Sequence, residues 1–92
     1  MNEPTAITVR ITGRVQGVAF RAWTENEAKN RGLTGWVRNE GDGSVTALIG
    51  GARDRVEDML AALHRGPPRA HVEHIETTPA TPEGRTTFEI RR

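Results

Sequence analysis

The stretch GWVRNEGDGSVTALIG, residues 35–50, decides how this chain is read. Its middle, Glu40, Gly41, Asp42 and Gly43, carries an Asp-Gly step inside a glycine-rich turn, a strong signal for a β-hairpin. The flanks supply two strands, over 35–40 and 44–50. On the second, Val45, Ala47 and Ile49 recur with a period of two and share one face. On the first, Trp36 and Val37 are adjacent and cannot face the same core, so one of them lies under a loop or on the open side of the sheet.

Toward the N-terminus, Ile7, Val9 and Ile11 alternate with Thr8, Arg10 and Thr12, which predicts a half-buried strand over 5–12. The string GRVQGVAFR, residues 13–21, breaks that alternation with two glycines and reads as a loop opening into a helix over 22–31. That helix has a thin apolar face, Phe20, Trp23 and Ala28, and Gly32 before Leu33 predicts a left-handed stop. Toward the C-terminus, Val56, Met59, Leu60 and Leu63 recur at i, i+3, i+4 and i+7, so a helix spans 52–65 until Gly66, Pro67 and Pro68 end it. A fourth strand covers 70–77, where Val72 and Ile75 both reach the core only if a bulge intervenes. Residues 78–85, with Pro79, Pro82 and Gly84, read as a loop, and 87–91 as a short last strand around Phe88 and Ile90.

The order strand, helix, strand, strand, helix, strand predicts an α+β fold, a ferredoxin-like βαββαβ sandwich. Both helices cover one face of an antiparallel sheet, with a short extra C-terminal strand. In that topology strands one and two run parallel with strand three between them. The 13–21 loop and Asn39 therefore meet at one sheet edge.

Ninety-two residues fit one small domain, 1–92, which buries only about 60% of its unfolded surface and has little room for a large internal cavity. Thirteen Lys and Arg against twelve Asp and Glu leave a net charge of +1, without the basic excess of a nucleic-acid-binding surface. Zero cysteines exclude a disulfide framework, a thiolate metal site and a cysteine nucleophile. Met1 to Ala6 do not read as a signal peptide, and the longest apolar run, Met59 to Leu63, is too short to span a membrane. The expectation is a cytoplasmic monomer without membrane or nucleic-acid partners. Twelve of the thirteen basic residues are Arg, which suits either anion binding or a genome-wide codon bias.

A loop with Gly13 and Gly17 that opens a helix can aim several backbone N–H groups at one point, backed by the helix dipole. Arg21, where the helix begins, can fold its guanidinium toward the same anion, with Arg14 as a second candidate. The same spacing also suits a mere tight connection. A Walker A loop would end in Gly-Lys-Ser/Thr where this chain has Ala19, Phe20 and Arg21, and the cysteine-based phosphatase cradle lacks its nucleophile. A phosphoryl group held here must be attacked by water.

Together, GRVQGVAFR at 13–21, GLTGWVRN at 32–39 and DGSV at 42–45 resemble the acylphosphatase family, and the likeness runs from the first strand through FEI at 88–90. The resemblance implies a ferredoxin-like fold and hydrolysis of the carboxyl-phosphate bond of a small acyl phosphate, with no cofactor and no metal. It implies that Arg21 binds the phosphate and Asn39 positions the water. The backbone amides of Gln16, Gly17, Val18, Ala19 and Phe20 would form the cradle. Ala19 stands where many members have glycine, which implies a less permissive backbone there. Arg31 stands where many have an apolar residue, which implies a weaker first helix.

The physical chemistry agrees. A carboxylate leaving group has a conjugate-acid pKa of about 4 and needs no general acid. What remains is to hold the phosphoryl group, neutralise its equatorial oxygens and orient a water in line. Strand spacing puts His71 and His74 on opposite faces, a poor start for a metal site. Asp54, Glu57 and Asp58 read as a solvated helix face, and Thr24 as a packing residue or a support for the cradle. Two rivals are weaker. An RNA-recognition domain shares the element order but needs aromatics on the open faces of strands one and three, which here show Thr8, Arg10, Thr12, Ser44, Thr46 and Leu48. A phosphate-binding module without turnover would keep Arg21 and lose Asn39.

Overall fold

The alternating N-terminal residues form β1, Pro4–Arg14, in a computed structural model that describes residues 3–92. Met1 and Asn2, part of the stretch read for a signal peptide and the first residues of the 1–92 domain, lie outside the described residues. The remaining elements are α1 (Phe20–Asn30), β2 (Thr34–Asn39), β3 (Val45–Ala52), α2 (Arg53–Arg65), β4 (His71–Ala80) and β5 (Phe88–Arg91). The sheet order is β4-β1-β3-β2-β5. The first four strands pair antiparallel, and the short extra strand adds to β2 in parallel, so the complete sheet is mixed. β1 and β2 thus flank β3 and end at the same edge.

One face carries the core. Val9 and Ile11 of β1, Val37 of β2 and Val45, Ala47 and Ile49 of β3 are buried beneath Phe20 and Ala28 of α1 and Val56, Met59 and Leu63 of α2. Each fully buried Ile, Leu or Met contributes about 2 kcal/mol through the apolar area it removes from water. The choice between Trp36 and Val37 resolves by this layer. Val37 is fully buried, and Trp36 lies on the other face, where the guanidinium groups of Arg38 and Arg91 approach its ring centroid at 4.9 and 4.7 Å. Leu48, expected on the open face, is nonetheless buried, and it shares the lining of a cleft with residues 82–85.

α1 ends as its Gly32 predicts, with the N–H of Gly32 bonded to Lys29 O and that of Leu33 to Ala28 O. The bulge demanded by Val72 and Ile75 is present: Thr12 pairs with His74 and Gly13 with Val72, leaving Glu73 as the extra residue. Only glycine fits at position 13, whose φ is 122° and where a Cβ would collide with the His71 carbonyl oxygen.

Three expectations need correction. The bulge resets the alternation, so His71 and His74 share the face opposite Val72 and Ile75 instead of lying on opposite faces; both are exposed. β4 continues to Ala80 through Pro79, where a loop was expected from residue 78. It is an edge strand, and a proline is tolerated there because its missing N–H faces away from the sheet. Arg31 does not simply weaken α1. Its guanidinium pairs with Glu27 at 2.7 Å and with Asp58 at 2.8 Å, tying α1 to α2.

Candidate functional site

Val15 and Phe20 are buried at 1% and 2% exposure and pin the two ends of the connection between β1 and α1. The four residues between them have to loop outward. Gln16 fixes the near side: its Nε2 donates to the carbonyl oxygens of Glu40 and Ser44 at 2.8 and 2.9 Å, joining the loop to the β2–β3 turn. Gly17 has a φ of 74° and Ala19 a φ of 62° with ψ 28°, so both are left-handed. Ala19 is the one residue other than glycine with positive φ among the described residues, a conformation costing about 1–2 kcal/mol for a side chain with a Cβ.

That turn has an electrostatic consequence. A left-handed residue followed by a helical one, Ala19 then Phe20, aims successive N–H groups into one concavity. The Ala19 carbonyl accepts the Trp23 N–H at 3.0 Å and starts α1, while the N–H groups of residues 16–22 form no hydrogen bond among the described residues. No side chain caps the helix and no acid lies in its first turn. The positive end of its dipole therefore stays unneutralised.

Arg21 stands on this first turn, half-buried, and its Nη1 donates to the Arg91 carbonyl oxygen at 3.3 Å. Asn39 ends β2 and pairs with Val45, continuing the helix-facing row of Gly35 and Val37. A polar residue thus completes an apolar row at the edge where α1 begins. Its Oδ1 is buried and meets no donor among the described residues.

Gln16, Gly17, Ala19, Phe20, Arg21 and Asn39 all line one cleft of about 270 Å³. Six of the seven residues to which the family resemblance gives a role are therefore brought together. Val18 borders a neighbouring cleft on the other side of the loop, and so does Arg14. Thr24 is fully buried and its hydroxyl finds no hydrogen-bond partner among the described residues, so it packs and does not brace the loop. The sequence reading missed Ile90 and Arg92, which form a wall of the cleft, and the Arg91 carbonyl that holds Arg21. Nothing in a four-residue strand announces which neighbour it will join.

Among the described residues, no Asp, Glu or His lines the cleft. The two acids of the β2–β3 turn are held as carboxylates. Arg38 and then Thr46, by side-chain hydrogen bonds, lower the Glu40 pKa, and the Ser44 hydroxyl and N–H, followed by Arg10, hold Asp42 well below the usual carboxylate range. Among the described residues, no three His, Asp or Glu are grouped to hold a metal ion, and no helix is long and apolar enough to cross a membrane. The arrangement can bind a compact anion and orient a small molecule beside it; it offers no side chain to protonate a leaving group.

Comparison with known proteins agrees with the geometry. The family model of acylphosphatases matches residues 7–90. An acylphosphatase of Rhizobium etli is 58% identical over 72 residues, 78% of this chain and 77% of that one. One of Natronomonas pharaonis is 45% identical over 92 residues, the whole of both chains. The solved structure of an acylphosphatase from Coxiella burnetii has a TM-score of 0.93 at 36% identity, covering 98% of this chain and 94% of that one.

Proposed function

This chain belongs to the acylphosphatase family and hydrolyses acyl phosphates, and we propose that it does so by metal-free attack of a water that Asn39 positions. The amides of Gln16, Gly17, Val18, Ala19 and Phe20 cradle the phosphoryl oxygens. Arg21 grips the same oxygens with its guanidinium fork. The observation that carries this reading is the left-handed turn at Ala19, which opens α1 into a cleft that Arg21 and Asn39 also line.

In the bound substrate, the phosphoryl group sits at the N-terminus of α1 with its carboxyl oxygen toward solvent. Asn39, through its Oδ1, accepts a hydrogen bond from the water and holds it in line with the bond to be broken. The water oxygen bonds to phosphorus as the phosphorus–carboxyl oxygen bond breaks, and the electron pair leaves on the carboxylate. One water proton passes to a phosphoryl oxygen, so the products are a carboxylate and monoanionic phosphate. No acid is needed, because the leaving carboxylate has a conjugate-acid pKa of about 4.

Hydrolysis of benzoyl phosphate, with and without a chelator, tests this. The expected result is turnover that survives exhaustive chelation and exceeds that of an alkyl phosphate by orders of magnitude, with inorganic phosphate inhibiting competitively. Activity lost on chelation and restored by magnesium or zinc would contradict it, as would equal turnover of the alkyl ester.

A further inference from the structure

The loop after β1 has two sides. Beyond the catalytic cleft, Gln16, Gly17 and Val18 also border a second, more open cleft of about 540 Å³, whose other walls are Arg14, Pro68 and Arg69. Gln16 and Gly17 line both, so the two clefts are neighbours on either side of the exposed Gly17.

The two arginines are held at this corner by the fold. Arg14 ends β1 and pairs with His71, the first residue of β4. Arg69 lies two residues earlier, in a turn stiffened by Pro67 and Pro68 and closed by the Ala70 N–H bonding to Pro67 O at 3.0 Å. Pro67 is buried, and Gly66 approaches the Phe20 ring so closely that a Cβ would lie 3.2 Å from it. The turn that presents Arg69 is thereby packed against the first residue of α1.

Both guanidinium groups are exposed and unpaired. Ion pairs engage Arg10, Lys29, Arg31, Arg38 and Arg85, but none engages Arg14 or Arg69 among the described residues. Two uncompensated cations facing one polar cleft raise the local concentration of anions, and guanidinium forks suit carboxylate and phosphate oxygens. A phosphoryl group in the cradle leaves its acyl part free to project across Gly17 toward them.

We propose that Arg14 and Arg69 form a second anion subsite, and that this chain prefers acyl phosphates whose acyl part carries a further carboxylate or phosphate. The inference rests on the placement of the phosphoryl group in the Gln16 to Phe20 cradle. The subsite acts on binding of the distal group, so it appears in KM more than in kcat.

The test compares benzoyl phosphate with its 3-carboxy and 4-carboxy derivatives in the wild type and in Arg14→Gln, Arg69→Gln, the double variant and Arg69→Lys. In low salt, at least one carboxylated substrate should show a kcat/KM about tenfold above benzoyl phosphate, a preference that shrinks in about 0.5 M salt as the charges are screened. Each single Gln variant should lower that ratio severalfold and the double variant should abolish it, whereas Arg69→Lys should keep most of it. A wild-type ratio of one or less, or a ratio unchanged in the double variant, would overturn the subsite. Failure of the wild type to hydrolyse benzoyl phosphate at all would overturn the cradle reading and the subsite with it. Thermal midpoints of the variants should match the wild type, since both arginines are exposed.

Discussion

Gln16 Nε2 donates to the carbonyl oxygen of Glu40 at 2.8 Å and so ties the loop after β1 to the residue that follows Asn39. The cradle and the water-positioning side chain come from segments far apart in the chain, and this contact, doubled at Ser44, sets their spacing. Gln16→Ala removes both bonds and leaves two carbonyl oxygens without that donor. Stability should fall by about 1–3 kcal/mol. The kcat for benzoyl phosphate should fall about tenfold, because a misplacement of even about 1 Å is costly in an oriented site. Chemical denaturation and steady-state kinetics on the same variant check this; unchanged kcat would mean the loop holds its place without the clamp.

Ala19 carries backbone strain that glycine would not. Ala19→Gly relieves about 1–2 kcal/mol of left-handed cost and gives back part of it as unfolded-chain entropy, so the variant should be more stable by about 0.5–1 kcal/mol. Activity should stay within about threefold, since the turn is kept. Ala19→Val should go the other way on both counts, because a β-branched residue is poorly tolerated at φ 62°. The urea midpoints of the three proteins rank the effect.

Acid should weaken the β2–β3 turn. Asp42 accepts from the Ser44 hydroxyl at 2.6 Å and pairs with Arg10 at 2.7 Å, which holds its carboxyl well below the ordinary value of about 4. A carboxyl depressed in the folded state stabilises that state above the unfolded pKa and loses its contribution as pH falls through the folded one. Thermal midpoints should thus hold above about pH 5 and decline progressively below about pH 4. Asp42→Asn keeps an acceptor for Ser44 and should flatten part of that acid limb; superimposable acid limbs would remove Asp42 from the account.

Much of this fold is legible in the sequence because its signals are local. The Asp42-Gly43 turn, the heptad-like spacing of Val56 to Leu63 and the stop at Gly32 each need only a few neighbouring residues. The bulge at Glu73 is readable too, since Val72 and Ile75 leave no other way to face one core. What stays hidden is non-local. β5 has four residues and no pattern that names β2 as its neighbour, so the wall made by Ile90 and Arg92 and the carbonyl that holds Arg21 appear only in three dimensions. Pro79 reads as a strand breaker until β4 is known to be an edge.

Arg21→Lys tests the phosphate grip. A lysine ammonium is a single point charge and cannot make two parallel bonds to a phosphoryl group, nor reach the Arg91 carbonyl with the same geometry. The kcat/KM for benzoyl phosphate should fall by about a hundredfold or more, equivalent to about 3 kcal/mol of transition-state stabilisation. Inhibition by inorganic phosphate should weaken in parallel. Near wild-type kinetics would reduce Arg21 to a helix surface residue.

The division of labour between Arg21 and Asn39 is the centre of the account, and Asn39→Ala measured for kcat and for phosphate inhibition tests it most directly. The substitution leaves the cradle and Arg21 in place and removes a buried Oδ1 that meets no donor, so the thermal midpoint should hold or rise slightly. With its water unheld, the variant should lose about a hundredfold in kcat while the inhibition constant for inorganic phosphate stays within about twofold. A phosphate affinity that collapses together with kcat would contradict the assignment, making Asn39 a ligand of the phosphoryl group instead of the residue that orients the water.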